Sequence, residues 1–234
     1  MTRTIENKTR TEAIQARAPK TDEHLIDADA FRAALEAVAS DHNPASTQAR
    51  KAVLGVSKAA LNAGRDKARD QLEENGLGRL CAERLSDLQD VLISVLFDFA
   101  ANRVFPTGNP SSSERLCLAA VGGYGRGTLA PGSDIDLQFL FPYKATAWSE
   151  SVTEYLLYML WDMGLKVGHS TRTVSECMKL SRQDMTIRTA LLEARYICGE
   201  RSLFDEFETR FDNEVVAGTA REFIASKLAE RDAR

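Results

Sequence analysis

The stretch Val121-Gly122-Gly123-Tyr124-Gly125-Arg126-Gly127-Thr128-Leu129-Ala130-Pro131-Gly132-Ser133-Asp134-Ile135-Asp136-Leu137 joins a glycine cluster to a pair of carboxylates. Each end abuts a short apolar run. Leu116 to Val121 has the length and flanks of a buried strand, and Ile135 to Phe141 reads as a second strand stopped by Pro142. Gly122 and Gly123 lack a Cβ, so the backbone there can take unusual dihedrals and approach a phosphate closely. If a short helix begins near Tyr124, its unpaired N–H groups point at that phosphate, and Arg126 adds a positive charge beside it. The familiar phosphate motifs do not apply. A P-loop needs Gly-Lys-Ser/Thr, and a dinucleotide fingerprint needs a different glycine spacing followed by a long βαβ unit.

Asp134 and Asp136 carry more chemical information. On a strand, residues i and i+2 face the same way, with Cα atoms about 6.5–7 Å apart. Two carboxylates aimed into one space repel each other and lose hydration, so an otherwise apolar strand has no structural use for them. A divalent cation removes the conflict. Mg2+ takes oxygen ligands, typically one or two carboxylates with substrate phosphates and water. Two such ions about 3.5–4 Å apart stabilise both the attacking and the leaving oxygen of an in-line displacement at phosphorus. Alone, a glycine cluster is a turn and an Asp-x-Asp is a solvated cap. Here they stand 11 residues apart, Gly123 to Asp134, with a strand on each side, and together they read as a phosphate-binding turn beside a divalent-cation site.

Outward from this centre the chain divides by composition. Residues 1–21 are polar and aperiodic, which predicts a disordered tail. Residues 22–105 carry three stripes of apolar residues at helical spacing, broken at His42-Asn43-Pro44 and at Asn75-Gly76-Leu77-Gly78. Pro106 to Ser113 reads as a linker. Beyond the central stretch the pattern predicts a helix over 147–163, a strand over 165–173, and helices over 174–180, 184–197, 202–211 and 219–231. Tyr155, Tyr158 and Trp161 fall at helical spacing and read as core aromatics. Arg195 reads as a cation at a helix C-terminus, and His169 as a hydrogen-bonding strand residue.

Whole-chain properties exclude several classes. In 234 residues the formal net charge is −4, which argues against a general nucleic-acid binder, since that needs a dense basic face. Cys81, Cys117, Cys177 and Cys198 lie far apart with no CxxC pair, so they read as buried apolar residues in a reducing compartment rather than as a disulfide frame or zinc site. The N-terminal residues have no apolar leader, and the longest apolar stretch, Tyr155 to Trp161, is too short to cross a membrane. The expectation is a cytoplasmic protein without nucleic-acid or membrane partners.

The central segment resembles the nucleotidyltransferase superfamily that includes DNA polymerase beta, in which a Gly-Gly or Gly-Ser turn precedes an Asp-x-Asp strand. More narrowly, Gly122 to Gly127 with Ser133-Asp134-Ile135-Asp136 is similar to the PII uridylyltransferase/uridylyl-removing enzyme family, and so are Val167 to Thr173 and Thr189 to Arg195. The resemblance covers about residues 80–232. It implies an α+β fold, a small mixed sheet of the polymerase-beta-like kind in a domain over 114–234, with the helical N-terminal extension over 22–105 and C-terminal helices. It implies UMP transfer from UTP to a tyrosine of the PII signalling protein, with pyrophosphate leaving. Asp134 and Asp136 would hold Mg2+, Gly122 and Gly123 would seat the phosphates, and Ser133 or Arg126 would help position them. A third carboxylate is expected as well, with Asp162, Asp184 and Glu193 as candidates. The family continues into a phosphohydrolase domain and two glutamine-sensing domains. This sequence stops at Arg234, so uridylyl removal and glutamine sensing are expected to be missing and the transferase unit to be truncated. The alternatives are an adenylyltransferase or other nucleotidyltransferase with a different acceptor, and a non-catalytic fragment that only binds PII.

Overall fold

A computed structural model describes residues 24–108 and 113–233. The tail expected over 1–21 and the 109–112 part of the linker lie outside the described residues. The front end is helical, as its apolar stripes predict. Helix α1 (Ala28–Asp41) is capped by Asp27, whose side chain accepts from the N–H groups of Asp29 and Ala30. Helix α2 (Thr47–Asn75) starts at the Ser46 cap and ends at Gly76, whose φ of 67° is the left-handed turn glycine accepts at little cost. Helix α3 (Gly78–Phe99) runs into a π-helical turn at Ala100–Val104. It is the most buried of the three because Leu88, Leu92, Ile93 and Leu96 pack against both the other helices and the sheet.

Four strands follow: β1 (Cys117–Ala120), β2 (Ile135–Phe141), β3 (Val167–Thr173) and β4 (Arg195–Gly199). A four-residue helix α4 (Gly122–Gly125) follows β1, and α5 (Ala147–Asp162) connects β2 to β3. Helices α6 (Val174–Gln183) and α7 (Met185–Leu192) precede β4, and α8 (Arg201–Phe211) and α9 (Ala220–Asp232) come after it. The sheet order is β3-β2-β1-β4. β1 lies antiparallel to β2 and β4, while β2 and β3 run parallel, joined by the α5 crossover. The fold is therefore α+β around a small mixed sheet with helices at both ends, as expected.

Two expectations are corrected. The helix predicted over 184–197 stops at Leu192, and Arg195 lies on β4 rather than at a helix end. Thr189 to Arg195 is locally helix-favouring, but the free edge of β1 must be paired, and Tyr196-Ile197-Cys198 supplies residues that suit a strand. Of the three α5 aromatics only Tyr155 is in the core; Tyr158 is 48% and Trp161 41% exposed, packed edge to face on each other. Helical spacing places them on the helix, and the part of α5 left uncovered by neighbours decides their exposure.

Both faces of the sheet are covered. Leu118, Ala120, Ile135, Leu137 and Phe139 face the front helices and α5. Cys117, Ala119, Val121 and Leu140 face α6, α7 and α8 through Val174, Met178, Leu191, Phe204 and Phe207. This explains the continuous apolar runs of β1 and β2, since a strand buried on both faces loses the alternation of a half-exposed one. All four cysteines are buried and unbridged, as expected of apolar residues; burial pushes the Cys117 and Cys177 thiols up to about 12, which makes them inert at neutral pH. Among the described residues no helix is long and apolar enough to cross a membrane.

Candidate active site

The alternation of β2 sets the site. Ile135, Leu137 and Phe139 point to the front core, so Asp136 and Gln138 point to the other face, where they interrupt the apolar surface. Asp136 is half-buried, and Asp134, one residue before the strand begins, is exposed. Both line one cavity of about 490 Å3 together with Gly123, Arg126, Ser133 and the 128–130 loop. Of the six site residues read from the sequence, five therefore share one space. Gly122, the sixth, meets the same carboxylate from another side.

The glycine turn borders the Asp136 carboxylate. β1 ends at Ala120, and α4 begins at Gly122, two residues earlier than expected, with φ of 56°. That dihedral strains any residue with a Cβ. A Cβ there would lie 3.2 Å from Asp136 Oδ2, and a Cβ on Gly168 of β3 would lie 2.5 Å from Oδ1. The Asp136 carboxylate thus sits in a slot between two glycines, one on either side. Gly123 faces Arg126, whose Nη2 lies 3.5 Å from where a Cβ would be. Gly125 matters for packing instead. Its Cβ would fall 1.9 Å from the Glu193 carbonyl oxygen, so the absent side chain lets α4 sit directly on the end of α7.

Electrostatics bear on what the slot could hold. Burial raises the Asp136 carboxyl above its ordinary value, and the neighbouring Asp134 charge raises it further. A cation beside Asp136 would offset both effects. Two carboxylates with open space beside them suit Mg2+, which completes its oxygen shell with phosphate and water. No group of three His, Cys, Asp or Glu able to hold a metal occurs among the described residues. None of the candidates for a third carboxylate lines the aspartate cavity. Asp162 pairs with Arg50 at 3.0 Å; Asp184 caps α7 by accepting from the Thr186 and Ile187 N–H groups, which lowers its pKa; and Glu193 is the C-cap of the same helix.

Sequence reasoning missed two supporting sets. On the Asp136 side of β2, Gln138 is 1% exposed. Its Oε1 accepts from Ser170 Oγ at 2.6 Å and from Arg172 Nη1 at 3.0 Å. These residues line a second cavity of about 350 Å3 that reaches Asp136 and is roofed by Ile187 and Ala190 of α7. Only the parallel register, Asp136 opposite Gly168 and Gln138 opposite Ser170, brings them together; the sole hint in the sequence is a glycine inside a strand. His169 lies in this cavity wall with its ring 5.8 Å from that of Trp161.

The second set anchors the turn from behind. Tyr124 is fully buried and donates from its hydroxyl to Asp90 Oδ1 of α3 at 2.5 Å. Arg195 on β4 forks onto both Asp90 oxygens and donates to Ser86 Oγ at 3.3 Å. Burial pushes the Asp90 carboxyl up, against the pull of Arg195 and the Tyr124 hydroxyl. The two-point fork is the geometry of an ionised carboxylate, and that is the state we assign. Burial likewise opposes the Arg195 charge, but Asp90 more than offsets it, so the guanidinium stays charged. The helical front end therefore holds the glycine turn in place. A backbone bond from the Leu129 N–H to the Ala82 carbonyl, 2.9 Å, does the same for the loop leading to Ser133.

Against known families, residues 112–197 match the model of the nucleotidyltransferase domain. The match contains the glycine turn, both aspartates, β3 and most of β4, and it supports nucleotidyl transfer from a nucleoside triphosphate as the chemistry of this part of the chain.

Proposed function

We propose that this chain transfers UMP from UTP to a tyrosine hydroxyl of the PII signalling protein, with release of pyrophosphate. The observation that carries the transferase reading is that Asp134 and Asp136 share one cavity with Gly123, Arg126 and Ser133. The choice of UTP and PII rests on the sequence resemblance of Gly122 to Gly127, Ser133 to Asp136, Val167 to Thr173 and Thr189 to Arg195.

In this reading the acceptor oxygen forms a bond to the α-phosphorus, the bond from that phosphorus to the bridging oxygen breaks, and the phenolic proton passes to solvent. Asp134 and Asp136 hold the divalent ions, which when bound neutralise charge gathering on the phosphoryl oxygens. The rest is positioning. The backbone at Gly122 and Gly123 admits the triphosphate where a side chain would block it. Arg126, exposed at the cavity wall, meets phosphate charge, and Ser133 offers a hydroxyl at the entry to the Asp-x-Asp segment. Gly122 and Gly168 keep the Asp136 carboxylate in one orientation, worth much because small misplacements of reacting groups are costly.

The test is incorporation of label from [α-32P]UTP into PII with Mg2+, against ATP, GTP and CTP as competitors. The expected result is UTP-specific labelling lost in Asp136→Ala. Preference for ATP replaces uridylylation with adenylylation while keeping the site. Equal labelling by wild type and Asp136→Ala removes the metal assignment.

A further inference from the structure

A third cavity, of about 410 Å3, lies on the reverse face of the strand that carries the aspartates, and neither Asp134 nor Asp136 lines it. It opens between α2, α3, the 129–133 loop and the turn before β3. Its body is apolar, built from Ala68, Leu72, Leu85 and Ile135, and Arg65, Arg69 and Lys166 also line it. Among the described residues neither Arg65 nor Lys166 has an ion-pair partner, whereas Arg69 pairs only with the exposed Asp66. Deep in the wall, Gln89 is 4% exposed, and its Oε1 has no hydrogen-bond partner. A buried amide oxygen left bare is costly, and a donor on a molecule bound in the cavity would satisfy it.

We propose that this cavity is a binding site for a small amphipathic anion: an apolar body of two-ring size, one carboxylate or phosphate facing Arg65 and Lys166, and a hydroxyl or N–H donating to Gln89. The volume lies in the range of small-molecule sites, which are mostly apolar with a few placed polar groups. Three cations about one apolar chamber select for an anionic end. The cavity also shares Leu129, Ala130 and Ser133 with the aspartate cavity. A ligand there would touch the loop that leads into Asp134.

The experiment is a fluorescence titration of the full chain with three probes: 6-hydroxy-2-naphthoate, which carries all three features; 2-naphthoate, which lacks the donor; and 2-naphthol, which lacks the anion. The expected result is saturable one-site binding of the first, several-fold weaker binding of the second, and about tenfold weaker binding of the third. Arg65→Gln, which leaves Lys166, should weaken the first probe several-fold, and Leu72→Trp should block it. UTP with Mg2+ should not displace it. Equal affinity for all three probes, insensitivity to Arg65→Gln, or competitive displacement by UTP each overturns the proposal. If Leu72→Trp does not fold, the probe series and Arg65→Gln still decide. No outcome depends on nucleotidyl transfer, so failure here leaves that reading untouched.

Discussion

Gly168→Ala separates the position of the Asp136 carboxylate from every other property of the site. The new Cβ would stand 2.5 Å from Asp136 Oδ1, while ordinary contact begins at 3.4 Å, so the carboxylate must retreat by about 0.9 Å. The side chain, being the end of a short flexible arm, moves rather than the backbone. Gly168 has no positive φ and lies on β3, an edge strand, so alanine adds no backbone strain there and removes some freedom from the unfolded chain. The melting temperature should therefore stay within about 3 °C of wild type, the scale of 1 kcal/mol in a chain of this size. Turnover should not survive as well. A misplacement near 1 Å at a reacting group costs about 100-fold, or about 2.7 kcal/mol of barrier. The assay is pyrophosphate release or label transfer from [α-32P]UTP with Mg2+, with calorimetry on the same sample. A folded Gly168→Ala protein within threefold of wild-type rate would refute the claim that two glycines hold this carboxylate for the reaction.

Further predictions follow the same geometry. Without divalent cations, Asp136→Asn should melt higher than wild type at pH 7. The folded-state pKa of Asp136 lies above its ordinary value, so its charged form disfavours the folded state once the pH passes that range, and the amide removes the penalty. The same variant should lose the melting-temperature gain that Mg2+ gives wild type. For that reason too, Mn2+ affinity measured by calorimetry should fall as the pH drops from 7.5 towards 5, because protons compete for Asp136 over a higher range than for an ordinary aspartate. Arg195→Ala leaves Asp90 without its fork and should cost about 2–4 kcal/mol, seen as a fall of roughly 5–15 °C in melting temperature; a loss under 2 °C would mean that the network does not anchor the turn. Gly125→Ala drives a Cβ into two backbone carbonyls, those of Glu193 and Ala120, at 1.9 and 3.1 Å. It should destabilise the chain sharply, whereas Gly123→Ala, facing only the movable end of Arg126, should fold normally by circular dichroism.

The site and the fold were legible to different depths. The front helices, β1, β2, β3 and the placement of Gly123, Arg126, Ser133, Asp134 and Asp136 about one cavity follow from local pattern, because each depends on neighbours within 15 residues. β4 was not legible, since the helix-favouring Thr189 to Arg195 runs straight into it and only the open edge of β1 ends that helix and draws Tyr196-Ile197-Cys198 into the sheet. The candidates for a third carboxylate illustrate the same limit: Asp162, Asp184 and Glu193 are identical in kind to a metal ligand, and their real surroundings, Arg50 for one and the ends of α7 for the others, appear only in three dimensions.

By itself the amino-acid order laid out the candidate site: a turn free of side chains, then two like charges two residues apart where a strand begins. Tertiary structure decided what holds those groups still. The Gly168 opposite Asp136, the Gln138–Ser170–Arg172 cluster and the Asp90 that ties Tyr124 to Arg195 come from segments 32 to 105 residues away. Spacing along the chain conveys which atoms can react, because strand and turn geometry are local. It does not convey which distant backbone will be laid beside them, because register and packing are settled only when the whole core is buried together.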